Sequence, residues 1–263
     1  MKKIKIYQVD AFTDNLFSGN PAAVCLLEKW LSDEKMQSVA AENNLAETAF
    51  IIPQESGFGI RWFTPTIEVD LCGHATLATA YVLFNCLAYK ESEIVFYSLK
   101  NGELKVSKQN DILFLDFPAD VLTLCRDTGQ INACINVLPV EVYKGKTDYL
   151  VLVETEVDVR NLLPDLTEIS KLNARGLIVT AKGENVDFVS RFFAPQSGVN
   201  EDPVTGSAHT TLIPFWSEKT GKKEMLAMQL SRRGGKLICI SKGQRCLIGG
   251  SARLYLTGEI CID

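Results

Sequence analysis

Histidine is scarce in this chain: His74 and His209 are the only two in 263 residues. Eight cysteines are scattered at positions 25, 72, 86, 125, 134, 239, 246 and 261, and no two are spaced as Cys-x-x-Cys. With so few histidines, the usual ligand sets of a structural zinc site are missing, and no metal is expected. No apolar run is long enough to cross a bilayer. The most apolar helix-like stretch, Ala75 to Tyr89, is broken by Thr79 and Asn85 and reads as a buried core helix. The chain also lacks a Gly-x-Ser-x-Gly elbow, a phosphate-binding Gly-Lys-Ser/Thr loop and a Gly-x-Gly-x-x-Gly after a strand, so nucleotide cofactors are not expected. Positive charge is in deficit, with 27 Lys and Arg against 32 Asp and Glu and a net charge of −5. That balance argues against nucleic-acid or anionic-membrane partners. The one basic cluster, Arg232, Arg233, Lys236, Lys242 and Arg245, alternates with apolar residues and reads as a solvated strand face. The first ten residues alternate charged and apolar and lack the apolar core of a secretory signal. Scattered cysteines without such a signal lead to the expectation of a cytoplasmic protein with reduced thiols.

What is present is ordinary globular composition, 46% hydrophobic and 22% charged, in a length that suits one large domain or two of roughly 130 residues. Ile4 and Ile6 alternate with lysines in a half-buried strand. Ala22 to Leu27, Glu47 to Ile52 and Ile60 to Phe63 read as further strands. Ser32 followed by Asp33 and Glu34 marks a helix start, with Met36, Val39 and Ala40 on one face. The second half echoes the first. Arg61-Trp62-Phe63-Thr64-Pro65 returns as Arg191-Phe192-Phe193-Ala194-Pro195, an offset of 130. Ile4 to Tyr7 returns as Val140 to Tyr143, and Ala49 to Pro53 corresponds to Leu177 to Ala181. Each echo is followed by a glycine that opens a helix, Gly73 in the first half and Gly206 in the second. A period this long is too great for a solenoid unit and points to two copies of one mixed α/β domain. The domains are expected at 1–118 and 132–263, with the last strand free to pack back on the first domain.

A glycine followed at once by a helix leaves unpaired N–H groups and the positive end of the helix dipole facing outward, which suits a carboxylate. Both histidines fall in these two segments, although each also reads as an ordinary capping or core histidine. Pro214, eight residues after Gly206, is expected to kink or end the second helix. From the residues alone, Glu47 reads as a solvated acid at a strand end, Asp202 as a turn residue before Pro203, and Ser207 as a helix cap.

Five segments in order carry a resemblance. They are Val9-Asp10-Ala11-Phe12-Thr13, Phe17-Ser18-Gly19-Asn20-Pro21-Ala22-Ala23-Val24, Asn44-Leu45-Ala46-Glu47-Thr48-Ala49-Phe50, Glu68-Val69-Asp70-Leu71-Cys72-Gly73-His74-Ala75-Thr76 and Glu201-Asp202-Pro203-Val204-Thr205-Gly206-Ser207-Ala208. Together they resemble the PhzF-like phenazine-biosynthesis isomerase family, which shares the diaminopimelate-epimerase fold. The resemblance implies an α+β fold of two pseudo-symmetric domains, each a barrel-like mixed sheet around a central helix, with the active site in the cleft between them. It implies a homodimeric, cofactor-independent isomerase that moves a proton within a small cyclic or amino-acid-like carboxylate. In this reading Glu47 is the general base and acid, His74, Asp202 and Ser207 are the polar catalytic residues around it, and the N–H groups at Gly73 and Gly206 bind substrate. One carboxylate that takes a proton and gives it back suits that chemistry.

Two competing readings stand beside it. A protein that keeps the fold but only binds small carboxylates is one. The other is a two-cysteine racemase. Cys72 occupies the place of one thiol, but Thr205 stands at the matching place in the second half, and a threonine hydroxyl is too weak an acid to replace a thiol. Cys72 is therefore expected to be a small buried residue.

Overall fold

The computed structural model describes residues 2–262, which divide into two compact units. One comprises the chain up to Asp116 together with the residues from Gly249 on, and the other is Phe117–Ile248. Residues 119–131 thus lie in the second unit, and the last strand lies in the first.

In the first unit the alternation of Ile4 and Ile6 with lysines gives β1 (Lys2–Ala11) one buried face. It runs antiparallel to β2 (Asn20–Leu26) on one side and to the chain's last strand, β17 (Ala252–Ile262), on the other. A crossover through α1 (Asp33–Asn43) sets β3 (Glu47–Pro53) parallel to β2, with Ala22 opposite Glu47. The Ser32 side chain accepts the Lys35 N–H at 3.3 Å, and the helix stops at Asn44 in the left-handed region, φ 49°. Met36, Val39 and Ala40 face the core, as their spacing predicts. β4 (Phe58–Phe63) is antiparallel to β3 and carries the short β5 (Glu68–Val69) on its edge. The chain then enters α2 (Gly73–Tyr81), returns as β6 (Glu93–Ser98) parallel to β4, and closes with β7 (Gly102–Gln109) and β8 (Ile112–Pro118). Every residue of α2 from His74 to Ala80 is buried, and the helix packs on β1, β2, β3 and β17.

The second unit holds β9 (Thr123–Leu124), α3 (Gly129–Cys134), β10 (Glu141–Lys144), β11 (Asp148–Leu152), α4 (Glu156–Arg160), α5 (Leu166–Ser170), β12 (Gly176–Lys182) and β13 (Phe188–Phe193). It continues with α6 (Gly206–Thr220), β14 (Glu224–Gln229), β15 (Gly235–Lys242) and β16 (Arg245–Gly250). Its pairings repeat those of the first unit. From β1 through β2, β3, β4 and β6 to β7 the partners run antiparallel, parallel, antiparallel, parallel, antiparallel. From β10 through β11, β12, β13 and β14 to β15 the order is the same. The echoed arginines explain part of the echo. Arg61 donates from Nε and Nη2 to the two Glu68 oxygens at 2.7 and 2.7 Å, and Arg191 does so to Glu201 at 2.7 and 3.1 Å. Each guanidinium lies over the phenylalanine two residues on, at 5.2 and 5.0 Å. In the basic cluster, Lys236, Lys242 and Arg245 are exposed while Leu237 and Cys239 between them are buried.

Two helix expectations need correction. The first helix does not run to Tyr89. Its α-helical part ends at Tyr81 and passes into a π-helical turn, Val82–Cys86, closed by the Leu87 N–H on the Val82 carbonyl at 3.0 Å. The Tyr81 carbonyl, where the π-helical turn begins, also accepts the Asn85 side-chain amide at 3.1 Å. Pro214 neither ends nor breaks α6, which runs on to Thr220. A proline at that place orphans the Thr210 carbonyl, and the Asp120 N–H takes it up at 3.0 Å.

Candidate active site

Glu47 is the first residue of β3, three residues beyond the left-handed turn at Asn44, and its side chain is 16% exposed. His74 is the second residue of α2, and Cys72 directly precedes the helix. Because α2 packs against β2 and β3, these groups meet although 27 residues separate Glu47 from His74. Glu47 Oε2 lies 3.1 Å from His74 Nε2. The two atoms are close, but Nε2 makes no well-aligned hydrogen bond among the described residues. On the other edge of the ring, Nδ1 lies 3.1 Å from Asn20 Nδ2 and 3.5 Å from Cys72 Sγ. With the Asn20 amide donating to Nδ1, the imidazole proton sits on Nε2, toward the carboxylate. Asn20 is fully buried at the head of β2, and His74 and Cys72 are buried as well.

The ring is poised between opposing influences. Burial disfavours the imidazolium, but the Cys72 sulfur and the Glu47 carboxylate together hold His74 well above its ordinary value. Burial, reinforced by the Glu47 charge, pushes the Cys72 thiol up. A thiol held protonated is a poor base, which agrees with reading Cys72 as a small buried residue. One oxygen of Glu47, the Cys72 sulfur and a ring nitrogen of His74 also lie within 4.8 Å of one another. That donor set could hold a zinc-like ion once drawn in to bonds of about 2.0–2.3 Å. An ion there would take the carboxylate lone pair that proton transfer needs.

The second unit assembles its own groups at the start of α6. The capping residue is Thr205, not Ser207, and it gives the helix no side-chain cap. Its hydroxyl donates to Asp202 Oδ2 at 2.5 Å, while its N–H donates to Gln229 Oε1 at 2.8 Å. Gln229 Nε2 donates to the Asp202 carbonyl at 2.7 Å. Gly206 and Ser207 are the first two helical residues, as Gly73 and His74 are in α2. The Ser207 hydroxyl accepts Arg175 Nη1–H at 2.9 Å, and Arg175 is clamped by buried Asp148. His209 is a core histidine. It is fully buried, its Nδ1 lies 2.8 Å from the Thr205 carbonyl, and burial pushes it down to about 4.

The structure thus brings Glu47 and His74 together, sets Asp202 against Thr205, and sets Ser207 against Arg175. Sequence reasoning missed Asn20, Arg175, Asp148 and Gln229. Asn20 lies inside one of the five segments that carry the resemblance, Phe17 to Val24, but is given no role there. Nothing local marks the other three.

These two sheet-wrapped helices define an α+β protein of the diaminopimelate-epimerase type. A hydroxyproline epimerase of Agrobacterium vitis shares that fold with a TM-score of 0.59 at 9% identity, over 99% of this chain and 91% of its own. Residues 9–258 match the PhzC-PhzF family, described as phenazine biosynthesis-like protein, and the chain belongs to that family. A PhzF-family phenazine biosynthesis protein of Enterococcus faecalis has a TM-score of 0.96 and 44% identity, over 99% of this chain and all of its own. An uncharacterised isomerase of Pseudomonas aeruginosa is 46% identical over 258 residues, 98% of this chain and 99% of its own. No helix among the described residues is long and apolar enough to cross a membrane.

Proposed function

We propose that the protein is a cofactor-independent isomerase that moves a proton within a small cyclic or amino-acid-like carboxylate, with Glu47 as the group that carries it. The observation behind this reading is the half-buried Glu47 carboxylate 3.1 Å from a buried imidazole, in a family whose relatives include proteins named isomerases. Glu47 takes a proton from a carbon next to a carbonyl or within a conjugated system, and the electron pair of the broken C–H bond shifts along that system. The protonated carboxyl then returns the proton at another carbon, so the reaction balances without a co-reactant. His74, which Cys72 and Glu47 hold above its ordinary value against the burial penalty, supplies positive charge beside the carboxylate when it is protonated. Asn20 fixes which ring nitrogen faces Glu47. Asp202, Ser207 and the N–H groups at Gly73 and Gly206 are assigned to substrate positioning on the family resemblance.

The test is incubation in heavy water with a panel of cyclohexadienyl acids and amino acids, wild type beside Glu47→Gln, read by mass spectrometry. A deuterium gain in one compound is expected, with the variant slower by about 100-fold or more. Gain at the wild-type rate in Glu47→Gln would overturn the assignment.

A further inference from the structure

The first and second residues of the two central helices are matched in the two units, and so are the heads of the strands they touch. In the first unit the second helix residue, His74, meets the head of β3 at Glu47. In the second, Ser207 meets Arg175, the residue just before β12. An acid and an imidazole occupy one pair of places; a cation and a hydroxyl occupy the other.

Arg175 is held as a built element. Its Nε donates to Asp148 Oδ1 at 2.9 Å and its Nη2 to Oδ2 at 2.5 Å, and Asp148 is 1% exposed. Thr147 donates its hydroxyl to the same carboxylate at 3.0 Å. The guanidinium stacks over Phe192 at 5.2 Å. Phe192 in turn presses on Gly176, where a Cβ would come within 2.6 Å of the ring and 2.7 Å of the Phe193 carbonyl. The fork therefore cannot swing away easily, yet its side chain keeps 36% of its exposure.

The donor arithmetic decides what this fork can do. A guanidinium has five N–H groups. Three are spent on Asp148 and Ser207, which leaves one on each Nη. The Ser207 oxygen already accepts from Nη1, so its own O–H points elsewhere as a donor, and it has no acceptor among the described residues. A cation behind a hydroxyl polarises it toward an anion. The start of α6 has no side-chain cap, the Thr205 hydroxyl oxygen accepting from Gln229 Nε2 at 3.1 Å, and the Asp202 carboxylate beside it offsets the field of that helix start. Asp148 cancels the net charge of Arg175 but leaves these outward donors unpaired.

We propose that Arg175 and Ser207 form a carboxylate-binding subsite, with Asp148 as the positioning residue that holds the guanidinium. A carboxylate oxygen accepts from Ser207 Oγ–H and from the remaining Nη–H groups. The inference rests on the isomerase reading only in taking the ligand to be its substrate, and carboxylate binding is tested without turnover.

The test uses the full-length protein with ¹⁵N-labelled arginine, the Arg175 side-chain resonance being assigned by its loss in Arg175→Lys. Sodium acetate, acetamide and sodium chloride are the probes. Acetate is expected to move the Arg175 resonance saturably at millimolar concentration, while acetamide and chloride leave it in place. Ser207→Ala, a small change at a half-buried position, is expected to weaken acetate about tenfold. An Arg175 resonance unmoved by acetate up to about 100 mM, roughly a hundredfold above a millimolar dissociation constant, overturns the proposal. So does an equal response to chloride, or an unchanged acetate affinity in Ser207→Ala. Glu47-dependent exchange is not read in this titration, so failure of either proposal leaves the other standing.

Discussion

Lowering the pH through a series of denaturation curves, with NMR of the imidazole nitrogens alongside, separates the two histidines because the chain has no others. His209 is fully buried, and its Nδ1 faces the Thr205 carbonyl at 2.8 Å, so that nitrogen carries the proton. Its Nε2 is buried without a hydrogen-bond partner among the described residues. Protonating Nε2 would bury a cation with nothing to accept it. That drives the ring from 6.5 to about 4. The unfolded chain then takes up this proton first as pH falls. Stability from His209 is fully present above about 6.5, is lost between there and about 4, and falls no further below. The full loss is about 3 kcal/mol, at 1.36 kcal/mol per unit. It is read as the difference between wild-type and His209→Leu stabilities in urea, which should change by that amount between pH 7 and pH 4. His74 has the opposite sign. Its folded value is raised by Cys72 and Glu47 against the burial penalty, so its contribution is present below about 6.5 and fades as pH rises through the raised value. Glu47→Gln should lower the His74 titration and leave that of His209 unmoved. A His209 ring that titrates near 6.5, or a wild-type-to-variant difference independent of pH, would refute the reasoning.

Zinc at micromolar levels is expected to slow Glu47-dependent exchange by occupying Glu47, Cys72 and His74, with recovery on chelation and about tenfold less sensitivity in Cys72→Ser. Acceleration by zinc would contradict the proton-carrier reading. Arg61→Met and Arg191→Met should each cost about 2 kcal/mol in urea denaturation and agree within about 1 kcal/mol, because the geometry repeats and both acids stay partly solvated. A wide disparity would show that only one pair carries its unit. Gly19→Ala should cost roughly 2–4 kcal/mol, since φ is +67° and the new methyl would sit on the Ala11 carbonyl oxygen. A loss under about 1 kcal/mol would show that the loop relaxes.

Legibility in the sequence followed the range of the forces involved. α1 was readable because Ser32 and its acidic first turn act within four residues and the face of Met36, Val39 and Ala40 repeats at helical spacing. The head of β3 at Glu47 was readable from the apolar run that follows it, whereas β2 begins at Asn20, two residues before the expected strand. The end of α2 was not, because the apolar run continues past Tyr81 while the backbone widens into the π-helical turn closed by the Leu87 N–H on the Val82 carbonyl. The path of α6 through Pro214 was not either. Its rescue comes from Asp120, which lies 90 residues upstream of the carbonyl it satisfies. Ser207 was mistaken for a cap because capping propensity is local, while the partner that claims its hydroxyl, Arg175, is set by the packing of β12 against α6.

The repeat carries a deeper distinction. Where the two halves echo each other in sequence, at Arg61-Trp62-Phe63 and Arg191-Phe192-Phe193, the shared residues build matching buried forks on Glu68 and Glu201. Such pairs serve the scaffold in both units and have the same work to do. Where the halves differ at matched places, the chemistry diverges: Glu47 with His74 on one side, Arg175 with Ser207 on the other. A duplicated fold keeps what holds each copy together and is free to change what projects from it. A proton carrier needs a group that can take up and release a proton beside a partner that can take charge, whereas an anion anchor needs fixed donors that never release their protons. Those demands exclude each other at a single position, and under the two proposals above the two copies of one scaffold divide them. The absence of an echo at Glu47 and His74 is therefore as informative about function as the echo at Arg61 is about structure.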